Sequence, residues 1–382
     1  MPLLWKLIWP LLLMILLPLA ASWIAYPVTH LPPGFGIFPP LFVQPPPGFN
    51  LTVFILVTIA VLVILALLVF PQLFGFKKVP ATTVSTTTRP LPFWFWLGAV
   101  ITGFFWWLMW SRVTPFGDLV YYAFSPLWWG FILMLDGITY HRSGGYSLLS
   151  SRTKTFIISI ITSVIGWYFF EYFNYFTLGN WYYPNSTTQA IPTLSHSTVV
   201  MIFLVAYTTV WPAIFEWYTL LNTFPKFIAR YSDGPRLALP ENILFWGGFI
   251  LIGLMVFLPY PLFWAQWVAT LAVFAGTLMR LGIPTPFTYL AQGNWSPMIV
   301  MAVASMLNGF FWEMWNYGSA HPELPVTNPN YWDYDIPYVN IIHIFSEMPL
   351  LGYFGYLPFG LLAWVIFIWA GKVFNFNTQL LK

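Results

Sequence analysis

Phe169-Phe170-Glu171-Tyr172-Phe173-Asn174-Tyr175 returns as Phe311-Trp312-Glu313-Met314-Trp315-Asn316-Tyr317. Phe and Trp are abundant enough in this chain to match by accident. Glu and Asp together number only 11 of 382 residues, so the shared Glu-x-x-Asn-Tyr is the informative part. Downstream of each copy come a Trp-x-Tyr, beginning at Trp181 and Trp332, and an Ile-Pro pair, Ile191-Pro192 and Ile336-Pro337. A histidine follows, His196 or His343, and then Pro212 or Pro358. Upstream, Phe95-Trp96-Leu97-Gly98 with Gly103 matches Phe245-Trp246-Gly247-Gly248 with Gly253. The three landmarks are offset by 150 (95 to 245), 142 (169 to 311) and 145 (191 to 336) residues and keep one order. Self-similarity of this kind predicts two copies of one structural unit.

The surrounding composition states what that unit is made of. Of the residues, 59% are apolar, 21% aromatic and 7% charged, and the mean hydropathy is +0.74. A soluble domain carries about 25% charged residues, so an ordinary soluble enzyme, a disordered protein and a nucleic-acid binder are excluded. The fold class is an all-α polytopic membrane protein. Zero cysteines exclude disulfides, thiolate metal sites, iron–sulfur ligation and cysteine nucleophiles. A spanning helix needs about 20 mostly apolar residues. Runs of that kind fall at roughly 3–25, 51–72, 93–111, 117–137, 155–175, 196–221, 242–259, 261–280, 297–317 and 339–371, about ten in all. The last is long enough to hold an interfacial entry segment, and Pro349 and Pro358 predict a kink or break in it. The first, with Lys6 ahead and Ala20-Ala21-Ser22 behind, reads as a retained helix in preference to a cleaved signal peptide. The expected organisation is two N-terminal transmembrane helices with a Pro-rich outer loop (1–80), a first four-helix repeat (90–225) and a second (240–375).

Charge placement supplies the orientation. With the N-terminus inside, 13 of the 14 cations fall in inner segments, as short cytoplasmic loops require. Arg112 is the exception, and Asp118 lies near enough across the following turn to pair with it. Both termini are therefore expected in the cytoplasm of a multi-pass plasma-membrane protein. Four helices per copy is an even number, so the copies are parallel-related, share a pseudo-axis along the membrane normal and place both Glu-x-x-Asn motifs on one side. The inverted-repeat transporter architecture is thereby disfavoured. The outer loop 26–50 carries two Pro-Pro-Gly-Phe units, Pro32 to Phe35 and Pro46 to Phe49, and reads as stiff and extended. Asn-x-Ser/Thr sequons at Asn50 and Asn185 fall outside, and a third at Asn294 falls inside.

Glu171 and Glu313, with Asn174 and Asn316 three residues on, are the candidate catalytic residues. The i, i+3 spacing puts each Glu and Asn on one helix face, and an ionisable group at membrane depth faces a bundle interior, a cavity or a partner. Two such carboxyls suit proton transfer; the structural alternative is that each Glu and Asn staples its outer loop. His196 and His343, expected to start the sixth and tenth helices, are the candidate cofactor ligands, for a b-type haem. Glu347, four residues after His343, would share its helical face. Glu313, His321, His343 and Glu347 are chemically sufficient for a metal, but their spacing fits no motif, as is true of the outer-loop residue Glu323. Asp333 and Asp335 alternate with Trp332 and Tyr334 as a docking patch or a plain polar loop. Asp136, Glu216 and Arg280, near inner helix ends, are expected to snorkel or cap. The runs Phe93-Trp94-Phe95-Trp96, Phe104-Phe105-Trp106-Trp107 and Trp128-Trp129 either line a pocket for a flat or polyisoprenoid molecule such as a quinone or face lipid.

No phosphate loop, His-Glu-x-x-His, Gly-x-Ser-x-Gly or Asp-rich prenyl-diphosphate motif occurs. In architecture alone, without a shared motif, two parallel four-helix units behind extra N-terminal helices resemble the quinol-interacting membrane subunits of molybdopterin and alternative respiratory complexes. That resemblance implies an electron-transfer membrane subunit with an outward-facing acidic and aromatic site. Its cofactor would be a quinone, and protein partner subunits would dock at the outer face in addition to the lipid bilayer. The alternatives are an intramembrane enzyme acting on a lipid or isoprenoid, a transporter, and a structural scaffold.

Overall fold

The computed structural model describes residues 2–41, 44–81, 88–112, 116–320 and 326–381. In chain order the elements are α1 (Leu3–Ala25), α2 (Leu51–Val69), α3 (Phe93–Ser111), α4 (Phe124–Arg142), α5 (Leu148–Ser151), α6 (Thr153–Phe176) and β1 (Trp181–Tyr182). There follow α7 (His196–Tyr207), α8 (Val210–Leu221), α9 (Pro225–Ala229), α10 (Glu241–Phe257), α11 (Ala265–Arg280), α12 (Ser296–Ser319), β2 (Asp333–Tyr334) and α13 (Tyr356–Phe374). Seven helical stretches among the described residues are long and apolar enough to cross a membrane: α1, α2, α3, α6, α7 with α8, α12, and α13 with the 3-10 turn before it. This is the signature of a multi-pass membrane protein. The other three expected spans, α4, α10 and α11, are also helices, but α10 and α11 have only 17 and 16 residues and α4 carries an internal aspartate.

Two boundaries differ from expectation. The fourth helix starts at Phe124, because Gly117–Tyr122 forms a separate 3-10 turn. The last begins at Tyr356 after a 3-10 turn over Leu350–Gly355, and residues 335–349 are not helical. Pro349 lacks the N–H that a continuous helix would need there. A break at Thr208–Thr209 separates α7 from α8, three residues ahead of Pro212, whose ring cannot sit over the preceding turn of an unbroken helix.

Helix pairs meet through glycine. A Cβ on Gly98 would lie 2.5 Å from the carbonyl oxygen of Gly130, so α3 touches α4 backbone to backbone. A Cβ on Gly248 would lie 2.7 Å from the carbonyl of Ala269, so α10 does the same against α11. Small residues at the crossing permit this approach where lipid supplies no hydrophobic drive. Phe95 covers Gly137 in the first pair as Phe245 covers Gly276 in the second. In the interior, α12 packs on α8 and α13, α8 on α4, and α13 on α11.

The two N-terminal helices are placed differently. Helix α1 lies against α10, α11 and α13; Trp9 sits among Phe245, Trp246 and Phe249, and the Leu7 carbonyl accepts from Trp369 Nε1 at 3.1 Å. Helix α2 buries Val61 alone. Its Asn50 side chain accepts from the Val53 amide at 3.1 Å and caps it, so the first sequon asparagine serves as a helix cap.

Strands β1 and β2 pair antiparallel, Trp181 opposite Tyr334 and Tyr182 opposite Asp333. Because β1 follows α6 and β2 follows α12, the pairing brings the C-terminal ends of those two helices to one end of the bundle, called the sheet end below. The proline-rich loop straps this end: the Pro40 carbonyl accepts from Tyr183 N, the Leu178 carbonyl from Gln44 N, and the Tyr338 carbonyl from Asn50 N.

Candidate functional site

Glu171 lies five residues from the end of α6 and is buried. Its Oε1 accepts four hydrogen bonds: Trp167 Nε1 at 2.9 Å, Trp181 Nε1 at 3.2 Å, the Tyr183 hydroxyl at 2.6 Å and the Tyr207 hydroxyl at 3.0 Å. Glu313, six residues from the end of α12, is equally buried. Its Oε1 accepts from the Tyr334 hydroxyl at 2.8 Å and the Tyr356 hydroxyl at 2.5 Å. In each site the Trp of Trp-x-Tyr also donates to its own Tyr, Trp181 to Tyr183 at 3.1 Å and Trp332 to Tyr334 at 2.7 Å. In each site the second carboxyl oxygen, Oε2, is buried and has no hydrogen-bond partner among the described residues. Phenol and indole donors around a carboxyl in an apolar interior offset the cost of removing it from water.

The asparagines do something different. Asn316 Nδ2 donates to the Trp332 carbonyl at 2.7 Å and its Oδ1 accepts from the Trp332 amide at 3.0 Å. Asn174 Nδ2 donates to the Trp181 carbonyl at 3.0 Å and its Oδ1 accepts from the Asn180 amide at 2.7 Å. Each asparagine thus binds the loop backbone as a neighbouring strand would. One turn further, Thr177 and Ser319 close the helix ends onto the Asn174 and Asn316 carbonyls. Glu and Asn share one helix face, as their spacing predicts, but Asn orders the Trp-x-Tyr backbone while Glu collects its side chains.

Of the hydroxyl and indole donors to the carboxyls, none is assigned that role by the sequence, and Trp167, one turn before Glu171, belongs to no repeated landmark. Tyr183 and Tyr334 belong to the Trp-x-Tyr landmark, so the signal is present but its role is not. Tyr207 and Tyr356 come from the next helix in each half and lie far from any motif.

The histidines do not join these sites. His196 opens α7 behind the Ser195 cap, whose hydroxyl accepts the Thr198 amide at 3.2 Å, and is exposed. His343 does not start a helix; it is exposed in the non-helical segment before α13, so Glu347 shares no helical face with it. A b-type haem requires two imidazoles converging on a buried plane, and two exposed histidines do not fit it. Among the described residues no three His, Asp or Glu side chains gather as metal ligands; His321 and Glu323 lie outside the described residues.

Other expectations are corrected. Arg112 donates to the Gly318 carbonyl at 2.7 Å, and Asp118 accepts from Thr193 at 3.3 Å; among the described residues the salt bridge found is Lys77–Asp233. Arg280 is exposed in the last turn of α11, as expected, and lies over the Phe245 ring, 4.2 Å from its centroid. Asp136 and Glu216 are fully buried and so do not snorkel, but Asp136 Oδ2 accepts from the Leu149 amide at 2.8 Å and caps α5. Of the outer-loop acids, Asp333 accepts from the Tyr182 hydroxyl at 2.8 Å. Burial, with Asp333 beside it, holds the Asp335 carboxyl above the usual carboxylate range.

The aromatic runs divide between interior and surface. Trp128 is buried against Trp312 and Trp315, whereas Phe93, Trp96 and Trp107 are exposed. Gly103, Trp106, Trp107, Trp110 and Ser111 line a shallow groove of about 440 Å³ on α3. Trp110 at its sheet end donates to the Trp315 carbonyl at 3.4 Å, two residues from Glu313. Comparison with protein-family models, with curated proteins and with solved structures finds no match.

Proposed function

We propose that this protein is the integral membrane subunit of a quinone-linked electron-transfer assembly in the plasma membrane. In this reading it has ten crossings, both termini are cytoplasmic, and the sheet end faces outward. Two parallel-related four-helix units follow two N-terminal helices. The strand register supports the two-unit reading: Tyr182 and Asp333 are the middle residues of the two Trp-x-Tyr segments and they pair with each other, so exchanging the halves leaves the pairing unchanged, as a twofold axis demands.

The observation that carries the functional reading is the pair of buried carboxyls. Each is clamped at Oε1 by phenol or indole donors, with Oε2 unpartnered among the described residues, in an interior of aromatic rings. Such a group suits exchange of protons with a lipid-soluble hydroquinone. Oxidation of a hydroquinone to the quinone would release two electrons, which a partner subunit would accept, and two protons, one taken at Oε2 of Glu313 or Glu171 and the other passed to water at the sheet end. The indole-lined groove beside α12 offers a flat ring an approach from the bilayer. The test is quinol-dependent turnover of the purified assembly: Glu313→Gln should abolish it with assembly intact, and unchanged turnover overturns the assignment.

A second reading, a scaffold whose loops engage a partner, is favoured by the Asn174 and Asn316 backbone clamps. It predicts that Glu313→Gln leaves turnover intact while Asn316→Ala releases partner subunits.

A further inference from the structure

Three cations from three helices gather where α1 lies against α10, α11 and α13, at the end of the bundle opposite the sheet. Arg280 is the last residue of α11 and is exposed. Its guanidinium carbon lies 4.2 Å from the centre of the Phe245 ring and 5.9 Å from that of Trp246, both on α10. Trp9 of α1 meets the same two rings, edge-on to Phe245 with centres 5.4 Å apart and 6.5 Å from Trp246. Lys6 stands one turn before Trp9 on the same helix face and is exposed. Trp369 of α13 donates to the carbonyl of Leu7, the residue after Lys6, at 3.1 Å. Lys372, exposed and three residues beyond Trp369, lies one turn nearer the same end.

None of these three side chains has a hydrogen bond or an ion pair among the described residues. The region includes one acid, Glu241, whose carbonyl lies 2.9 Å from where a Cβ on Gly276 would stand, one turn before Arg280. Glu241 forms no ion pair with Arg280, and three cations against one acid leave two positive charges unmatched. Cations of the first half at this end are tied to the chain instead. Arg142 Nε donates to the Thr223 hydroxyl at 2.8 Å, and Arg152 donates to Tyr146 and Gln379, each at 3.2 Å. Helix dipoles favour Arg280 and Lys372, at the C-terminal ends of α11 and α13, but oppose Lys6, near the N-terminus of α1. A guanidinium laid on aromatic rings keeps its N–H edge for an outside acceptor, and its fork matches phosphate oxygens.

The surface running from these cations toward the sheet end is apolar. Trp5, Leu12 and Leu16 form one exposed stripe of α1, and Trp246 and Ile250 form one of α10. A molecule with a phosphate head and an apolar tail matches both parts; a water-soluble anion matches only the first.

We propose that this junction binds an anionic membrane lipid. Arg280 and Lys6 hold its phosphate, Lys372 adds charge, and the acyl chains lie along the two apolar stripes. The lipid thereby ties α1 to the second half of the bundle.

The test is titration of the purified full chain with phosphatidylglycerol and with phosphatidylcholine of the same acyl chains, read by native mass spectrometry. The wild type should bind one phosphatidylglycerol about tenfold more tightly than phosphatidylcholine. Arg280→Ala and Lys6→Ala should each weaken phosphatidylglycerol binding by about fivefold. Lys226→Ala, which removes a cation of α9 outside the junction, should leave it unchanged. Glycerol phosphate at the lipid's concentration should not displace the lipid. Equal binding of the two lipids, equal losses in Lys226→Ala and Arg280→Ala, or displacement by glycerol phosphate overturns the proposal. Should Arg280→Ala fail to fold, Lys6→Ala and Lys372→Ala, at exposed helix ends, carry the same comparison with Lys226→Ala. These readouts need neither quinol nor a partner subunit, so their failure is separable from failure of the quinone reading.

Discussion

Glu171 and Glu313 share a motif but not a degree of support. Four donors converge on Glu171 and two on Glu313: Trp332 donates to Tyr334 alone, where Trp181 reaches both Tyr183 and Glu171, and Trp167 has no indole counterpart on α12, its place being taken by Gly309, against which the Tyr356 ring packs. Removing one of four donors leaves a buried carboxyl satisfied, whereas removing one of two exposes it to the full cost of an unmet group. Tyr356→Phe should therefore cost about 2 kcal/mol, and Tyr207→Phe less than about 1 kcal/mol, read as the difference in unfolding midpoint in the same detergent. Equal losses would mean that redundancy at Glu171 is unimportant. At this scale the sequence discloses which residues pair on a face, since i, i+3 spacing is local. It does not disclose Tyr207 and Tyr356, which reach the carboxyls only after a whole further helix has folded back.

Among the elements, the helix pairs α3–α4 and α10–α11 depend on particular glycines. A Cβ at Gly98 or Gly248 would stand 2.5 or 2.7 Å from a facing carbonyl, while Gly103 and Gly247 meet nothing within 4 Å. Gly98→Ala and Gly248→Ala should destabilise, because the clash is with backbone that cannot turn aside. Gly103→Ala and Gly247→Ala should be neutral or stabilising by up to about 1 kcal/mol, the helix-propensity difference. Thermal unfolding of the four variants in nanodiscs checks this, and a loss at Gly98 and Gly248 with none at Gly103 and Gly247 is the required result. The sequence match Phe-Trp-x-Gly finds the right glycines, since Gly98 and Gly248 are its last residue. Only packing shows why the neighbouring glycines are dispensable. The late start of α13 was less legible, because an apolar run looks the same whether its entry is helical or a folded loop.

For the molecule as a whole, the two N-terminal helices make opposite contributions. Helix α1 is wedged against the second half through Leu7 and Met14, both 0% exposed, while α2 presents Leu56 and Leu62 at 62% and 57% exposure. Leu7→Ala and Met14→Ala should each cost about 2 kcal/mol or more through lost packing. Leu56→Ala and Leu62→Ala should stay within about 0.5 kcal/mol, as surface changes do. Chemical denaturation in mixed micelles checks the contrast. Hydropathy makes α1 and α2 look alike, since it measures affinity for lipid and carries no information about which neighbour replaces the lipid.

Composition and hydropathy by themselves determined that the chain is a helical membrane protein, because about 20 apolar residues without charge have no stable alternative to a helix in a bilayer. They also located the Glu-x-x-Asn-Tyr segments, because scarce residues recurring in one order are visible without coordinates. What surrounds those glutamates was decided only by tertiary structure. Tyr207 and Tyr356 lie 36 and 43 residues beyond the glutamates they bond. The helix crossings that bring them there depend on side-chain shape at long range, which no local pattern encodes.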